Sequence, residues 1–429
     1  MIYKQDHLRG FLLSADGAAA LSEQYQDDPV YQQRRYARAI EAFAGFFGDS
    51  PAAVFTAPGR TELSGNHTDH QRGQVLAAAV TLDIAAVVSP IDTGIIRLFS
   101  ESANRMEEVS LDEIAPKTAE TNTAAALIRG VAARFRELGY KAGGFNAYVT
   151  SLIPEGGGLS SSAAFEVLNA TIQNSLYNDG KVTAWEIAEI GQFAENVYFG
   201  KPSGLLDQAA SSIGGVVHID FSRSDASAVE RLDIPDWDYD ICIINTGGSH
   251  AGLTGEYADI PREMCEVAEY FGRRVLREVE RSSFVAELGA IRKTASDRAI
   301  LRAMHFFDEN DRVLRQTEAL RKKQWEDYRC AMIESGRSSY MLLQNIYPVS
   351  SLDERGNALA LAVSEMLLND RGAWRIHGGG FAGTIQALVP RDYTEIYRET
   401  MEGIFGAGSV SKLIIRPYGG HALMINGSS

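Results

Sequence analysis

The chain has 429 residues, enough for two domains sharing a cleft, and its 45% hydrophobic and 23% charged residues are the balance of a soluble globular protein. A net charge of −15 argues against a general nucleic-acid or anionic-membrane binder, so a phosphorylated substrate has to be met by local positive charge, backbone dipoles or a metal. Three widely spaced cysteines (Cys242, Cys265, Cys330) predict reduced thiols and a cytoplasmic location; no apolar run approaches membrane-spanning length, and the opening MIYKQDHLRG does not read as a signal peptide.

Residues 1–50 read as mostly helical. Tyr36, Ile40, Phe43 and Phe47 fall at helical spacing in a segment from Val30 to Phe47 that ends near Gly48. AAVFTAPGR then predicts a short strand broken by Pro58-Gly59. The run Arg60–Gly73, RTELSGNHTDHQRG, gathers Arg60, Glu62, Asn66, His67, Asp69, His70 and Arg72 into what reads as a loop, and VLAAAVTLDIAAVVS after it reads as buried strand. Such a polar cluster between two apolar strands is either an exposed turn or a site, and its density of useful groups favours a site. His67-Thr68-Asp69-His70 raises a metal cluster as an alternative, though no further His or Cys at ligand spacing supports it.

A strand around Ile95–Phe99 and a helix around Thr123–Gly139 follow. Phe145 to Ser151 alternates as a strand, and next comes PEGGGLSSSAAFEVL, Pro154–Leu168. Gly156, Gly157 and Gly158 precede Leu159 and the serines Ser160, Ser161 and Ser162, after which Ala164, Val167, Leu168, Ile172 and Leu176 keep helical spacing. A strand, a glycine loop and a helix N-terminus offer close backbone approach, unpaired N–H groups and a positive dipole end, which suit phosphate. This is not a Walker A loop, since the next lysine is Lys181.

Thr183 to Glu186 fits a capping box opening a helix that runs to about Tyr198 and contains Glu195. In GKPSGLLDQAASS, Asp207 sits among Leu205, Leu206, Ala209 and Ala210, as a helix N-terminal Asp or as a carboxylate placed to accept a proton. The polar stretch Ser222–Arg231 marks a domain crossover, which divides the chain into 1–228 and 229–429. Tyr239–Asn245 reads as a strand, Pro261–Val279 as a long helix and residues 281–345 as helical. A second glycine-rich turn (Gly378, Gly379, Gly380, Gly383) precedes a strand, and Leu413–Ile415 and Ala422–Ile425 read as terminal strands.

Taken together, APGR-x-x-L-x-G-x-H-T-D-x-x-x-G, PxGGGLSSSA, GLLDQ, SHAGLTGEY-x-x-x-x-R-x-x-C and GGGFAG, in this order, resemble the GHMP small-molecule kinases, and the first motif with GLLDQ resembles their galactokinase branch. The resemblance covers about residues 45–425. It implies an α/β (α+β) protein with an N-terminal domain like ribosomal protein S5 domain 2 and a ferredoxin-like C-terminal domain. It also implies ATP-dependent phosphorylation of a monosaccharide at its anomeric hydroxyl, most simply galactose to galactose 1-phosphate. By the same resemblance Gly156–Ser162 (Gly156, Gly157, Gly158, Leu159, Ser160, Ser161, Ser162) wraps the nucleotide phosphates, and Ser162 and Glu195 hold Mg²⁺. Asp207 is then the catalytic carboxylate with Arg60 beside it, and Asn66, His67, Asp69, Gly204 and Tyr257 line the sugar. The expected partners are a sugar and ATP, with no nucleic acid, membrane or obligate protein partner.

Several positions depart from the galactokinase pattern. Glu62 stands where those enzymes have Asn and Asn66 where they have Glu; His70 replaces a Tyr, Ser249 a basic residue, and Thr123–Gly130 lacks an aromatic for adenine. Alternatives are therefore a 1-kinase for another sugar or sugar acid (a C6-altered or N-acetylated galactose analogue, or a pentose) and a catalytically idle sugar-sensing paralogue.

Overall fold

Two sheets organise the chain, and the segments that join them build a shared cleft. The computed structural model describes residues 2–154, 157–233, 235–248, 252–351 and 353–423. The first sheet contains β1 (Ala53–Ser64), β2 (Gln74–Ile91), β3 (Ile95–Ser100), β4 (Arg105–Ser110), β5 (Gly144–Ser151), β6 (Val216–Asp220) and β7 (Val229–Leu232). The second contains β8 (Tyr239–Asn245), β9 (Ala373–Ile376), β10 (Thr384–Pro390) and β11 (Val410–Leu413), and β12 (His421–Ala422) returns to the edge of the first.

The first sheet runs β12-β1-β2-β5-β3-β4, with β6 paired to β2 and β7 to β6; among the described strands only β3 and β5 pair in parallel. β2 is its axis, because Val75 to Val80 and Ile84 to Val88 are buried along both faces and leave no solvated side. The second sheet is antiparallel in the order β11-β8-β10-β9, with helices between β8 and β9 and between β10 and β11. Numbered within its own domain, that order is 4-1-3-2 with βαββαβ connectivity, the ferredoxin-like arrangement. The changeover between sheets falls between Leu232 and Tyr239, so Val229–Leu232 pairs with the first sheet.

Three helices, α1 (Gln5–Leu12), α2 (Ala15–Tyr25) and α3 (Pro29–Phe47), cover one face of the first sheet. Asp28 caps α3 and Pro29 occupies its first turn; Gly48 at φ 79° stops it, where the sequence predicts the end. α4 (Ala124–Glu137), α5 (Ser161–Tyr177), α6 (Ala184–Phe193) and α7 (Leu206–Ile213) cover the opposite face. The capping box between Thr183 and Glu186 is present at the start of α6.

Four elements differ from the sequence expectation, one of them β11, which spans Val410–Leu413 where Leu413–Ile415 is expected. β1 does not stop at Pro58-Gly59; its register shifts between Pro58 and Arg60 and the strand continues to Ser64, so the polar run begins on a strand. β4, with its exposed and charged residues, gave no periodic signal. The helix expected at Pro261–Val279 is α8, Thr254–Tyr270, with Pro261 inside it. Burial of Ile260, Met264, Val267 and Ala268 against the long helix Asp297–Lys322 outweighs the cost of an internal proline. The part of the last expected strand beyond Leu423 lies outside the described residues.

Candidate active site

The site is built where β1, the loop before α5 and the first turn of α7 converge. The irregularity at Pro58/Arg60 turns Arg60 toward α7, and its backbone N–H is held by the Leu159 carbonyl at 3.1 Å. Its guanidinium grips Asp207 in a fork: Nε donates to Oδ1 at 2.6 Å and Nη2 to Oδ2 at 2.8 Å. Nη1 donates to the Gly158 carbonyl at 2.6 Å, so the same side chain ties the glycine loop to the carboxylate. Ser160, at φ 55° just before α5, also donates to Asp207. Burial pushes the Asp207 carboxyl up, but the charge and hydrogen bonds of Arg60 hold it below its ordinary value. Arg60 is 8% exposed and Asp207 26%, so the acid keeps one open side.

The glycine loop lies against the second sheet. A Cβ on Gly158 (φ 70°) would come 2.5 Å from Thr384 Oγ1 and 2.9 Å from His377 Nδ1, so only glycine fits between the loop and β10. His377, buried and beside the cations Arg60 and Arg375, is kept neutral. At the start of α5, Ser162 donates to Glu195 Oε1 at 2.9 Å. Glu195 lies on a π-turn, Ala194–Phe199, that follows α6. It also accepts from Ser203 (2.6 Å), Gln208 (2.8 Å) and Lys201 (3.0 Å). Gln208 bridges it to Glu166 at 2.9 Å. Burial, and then the neighbouring Glu195 charge, raise the Glu166 carboxyl well above its ordinary value.

On the other side of Asp207 sit the residues expected at the sugar. A Cβ on Gly204 would collide with Asp69 Oδ2, so glycine is required for this approach. Asp69 accepts its own neighbour's N–H, from His70 at 2.9 Å; burial and the Asp207 charge raise its carboxyl to about 6. His67 Nε2 donates to the Gly379 carbonyl at 2.9 Å and Tyr257 donates to the Gly380 carbonyl at 2.8 Å, which closes the second glycine turn over this end of the cleft. Burial lowers His67 to about 4 and His70 to about 3, so both are neutral. No group of three or more His, Cys, Asp or Glu suited to a metal occurs among the described residues, which removes the support for a cluster at His67–His70.

Asn66 is fully buried and its amide is wholly engaged. Nδ2 donates to Glu62 (3.1 Å) and to the Gly378 carbonyl (2.6 Å), while Oδ1 accepts from Asn345 (2.8 Å). Glu62 in turn pairs with buried Arg375 at 2.6 Å. Burial raises the Glu62 carboxyl, against the lowering charges of Arg375 and Arg60.

Arg60, Asp207, Gly158, Ser160 and Ser162 with Glu195 are thus brought together on one side, and His67, Asp69, Gly204 and Tyr257 on the other. Gly157, Leu159 and Ser161 complete the loop and the start of α5. Gly156 and the residues Ser249, His250 and Ala251 lie outside the described residues. Sequence reasoning missed Glu166, Lys201, Gln208, Arg375 and His377. Two had local signals: Gln208 follows Asp207 directly, and Glu166 lies one helical turn after Ser162.

Known proteins resemble this chain in sequence and fold. A galactokinase galactose-binding signature matches residues 41–90, and a GHMP kinases N terminal domain matches residues 126–215. A galactokinase from Streptomyces coelicolor is 31% identical over 374 residues, 86% of this chain and 93% of that protein. The Homo sapiens galactokinase is 34% identical over 360 residues, 82% and 88% of the two chains. Among solved structures, Lactococcus lactis galactokinase complexed with galactose superposes with a TM-score of 0.79 at 25% identity, covering 90% of this chain and 99% of that one. Methanococcus jannaschii mevalonate kinase shares the fold, with a TM-score of 0.59 at 14% identity over 85% of this chain and 98% of that one.

Proposed function

The chain belongs to the galactokinase family of GHMP kinases, and from that premise we propose that it transfers the γ-phosphoryl group of ATP to the anomeric hydroxyl of galactose. The observation that carries the reading is the open-sided Arg60–Asp207 fork set between the glycine loop and the Asp69–Gly204 contact. In this reading Asp207 is the catalytic carboxylate. Held ionised by Arg60, it accepts the proton of the attacking hydroxyl, and that hydroxyl displaces ADP from the γ-phosphorus. Arg60 also stabilises the transferring group. The backbone of Gly156–Ser162 and the start of α5 receive the phosphates. His67, Asp69, Gly204 and Tyr257 line the sugar, with ionised Asp69 accepting from a pair of its hydroxyls.

Ser162 and Glu195 fit Mg²⁺. A buried carboxylate within hydrogen-bond distance of a serine hydroxyl at a helix start is a hard oxygen donor set, and Mg²⁺ prefers few protein ligands beside water and phosphate oxygens. When bound, the ion supplies charge neutralisation on the phosphates. The three described cysteines are free, which agrees with a cytoplasmic location, and no helix among the described residues is long and apolar enough to cross a membrane. Residues 1–228 and 229–429 are proposed as the two kinase domains, with Val229–Leu232 paired back onto the first.

The Glu62 and Asn66 exchange favours a second reading, a 1-kinase for a C6-altered galactose analogue. The carboxylate of this segment is paired with Arg375, and the Asn66 amide is engaged within the protein. Purified full-length chain with ATP, Mg²⁺ and a panel of galactose, 6-deoxygalactose, galacturonate, N-acetylgalactosamine and arabinose tests both. Galactose 1-phosphate formed with the highest kcat/KM supports the first reading, and a C6-altered sugar winning supports the second. No phosphorylation of any of them overturns the kinase assignment.

A further inference from the structure

The glycine loop carries no lysine or arginine from Gly157 to Ser162, and the next lysine in the chain, Lys181, pairs with Asp179 at 3.0 Å on the surface. Arg60 has three of its five N–H donors, one each on Nε, Nη1 and Nη2, bonded to Asp207 or Gly158, which leaves one N–H on each Nη for the transferring group. A phosphate entering the cleft therefore finds little cationic help on the loop itself. Lys201 supplies it from another segment. Its Nζ lies 3.0 Å from Glu195 Oε1, the oxygen that also accepts from Ser162 in the first turn of α5.

The ammonium is drawn there by carboxylates, with Glu195 in contact and the Asp207 charge nearby, and the helix start opposes it. A helix N-terminus carries a positive partial charge, which disfavours an ammonium nearby. Lys201 is 56% exposed while Glu195 is 2% exposed, so the contact gains little as a structural ion pair. The carboxylate also accepts from Ser162, Ser203 and Gln208, so it keeps three hydrogen bonds when the lysine moves away. An ammonium on a flexible four-carbon stem, beside a helix N-terminus and near the Asp207 charge, is arranged for a polyanion that binds between those groups.

We propose that Lys201 contacts the terminal phosphates of the nucleotide, acting beside the α5 N-terminus as the cation that the glycine loop lacks. The proposal rests on the kinase reading above and deepens it. Lys201 leaves Glu195 for a phosphate oxygen when nucleotide arrives, which also frees that carboxylate for a metal ion.

Calorimetric titration of the full chain with ATP, once in EDTA and once with Mg²⁺, separates the two claims. Lys201→Met is expected to weaken metal-free ATP binding about tenfold or more, the size of a hydrogen bond to a charged group. The loss with Mg²⁺ is smaller. Lys201→Arg stays within about threefold of wild type, and galactose affinity and Tm hold in both variants. If Lys201→Met binds metal-free ATP as tightly as wild type, Lys201 is not a phosphate ligand, while the kinase reading stands. If wild type binds galactose but no ATP under either condition, the kinase reading fails and this inference with it. Should Lys201→Met lose its fold, Lys201→Gln is read by the same criterion.

Discussion

Two aspartates in this molecule are gripped by arginine, and they do different work. Asp83, on β2, accepts from Arg35 at 2.6 Å, Arg416 at 3.1 Å and Tyr25 at 2.6 Å, and also from Thr56. These partners come from α3, the segment after β11, α2 and β1, and Asp83, Arg35 and Arg416 are sealed from solvent. Asp207 has one arginine, one serine and an open side. In both cases burial raises the carboxyl and arginine more than cancels it. Charge state therefore does not distinguish them. An acid whose acceptor positions are filled by four segments ties the fold together, whereas one left unfilled toward a cleft can take a ligand's proton.

Substitution of each acid separates the two roles. Asp207→Asn keeps the shape of the fork but removes the proton acceptor, and kcat should fall by about 10²–10⁴-fold. Tm and galactose binding should stay near wild type. Near-normal turnover would remove Asp207 from the reaction. Asp83→Asn should do the reverse, because it leaves two buried arginines short of a counter-charge. A loss of about 3–5 kcal/mol is expected, read as a lower unfolding midpoint, with kcat/KM of the folded fraction unchanged. Since the folded Asp83 carboxyl lies below its ordinary value, its contribution is present above pH ~4 and is lost as pH falls through the folded value. A midpoint insensitive to Asp83→Asn would break the comparison.

Gly204→Ala tests how closely the cleft is drawn. The added methyl would overlap Asp69, so that carboxylate must shift while Arg60 and Asp207 stay in place. A displacement of about 1 Å can cost up to about 10²-fold, here expected as a higher KM for galactose with a smaller change in kcat. An unchanged KM would mean Asp69 does not touch the sugar.

How much of this was legible beforehand depends on where the signal lies. Arg60 and the Gly156–Ser162 loop stand in segments with local chemical character, whereas Glu195 is singled out only by the family resemblance and Asp207 reads equally as a helix N-terminal residue without it; the helices and the buried strands follow from periodicity. The lid contacts of His67 and Tyr257 required the fold, because their partners Gly379 and Gly380 lie more than a hundred residues away. Glu62 and Arg375 are 313 residues apart, and no local pattern announces their pairing. The continuation of β1 was hidden because Glu62 and Arg60 are charged yet buried, which reverses the usual reading of a polar run. Nothing local marks Lys201 in the sequence. Only its distance from Glu195 distinguishes it from Lys181.

A third acid sharpens the contrast by lacking an arginine altogether. Among the described residues Asp69 has backbone N–H groups, that of His70 and its own, as partners, and burial with the Asp207 charge raises it to about 6. If its carboxylate accepts sugar hydroxyls, only the ionised form binds well. Then kcat/KM for galactose, which reports the free enzyme, should fall as pH drops below about 6, reaching about one-tenth of its plateau near pH 5. kcat at saturating sugar should be flatter, because bound hydroxyl donors favour the ionised form. The effect on stability has the opposite sign. The folded value lies above the ordinary 3.8, so the contribution of Asp69 to stability is full below pH ~4 and is lost as pH rises through about 6. A fall in kcat/KM between pH 6 and 5 therefore cannot be put down to unfolding by this group. Asp69→Asn should abolish the pH step along with most sugar affinity; if the step survives in that variant, it belongs to another group and Asp69 is not the sugar's acceptor.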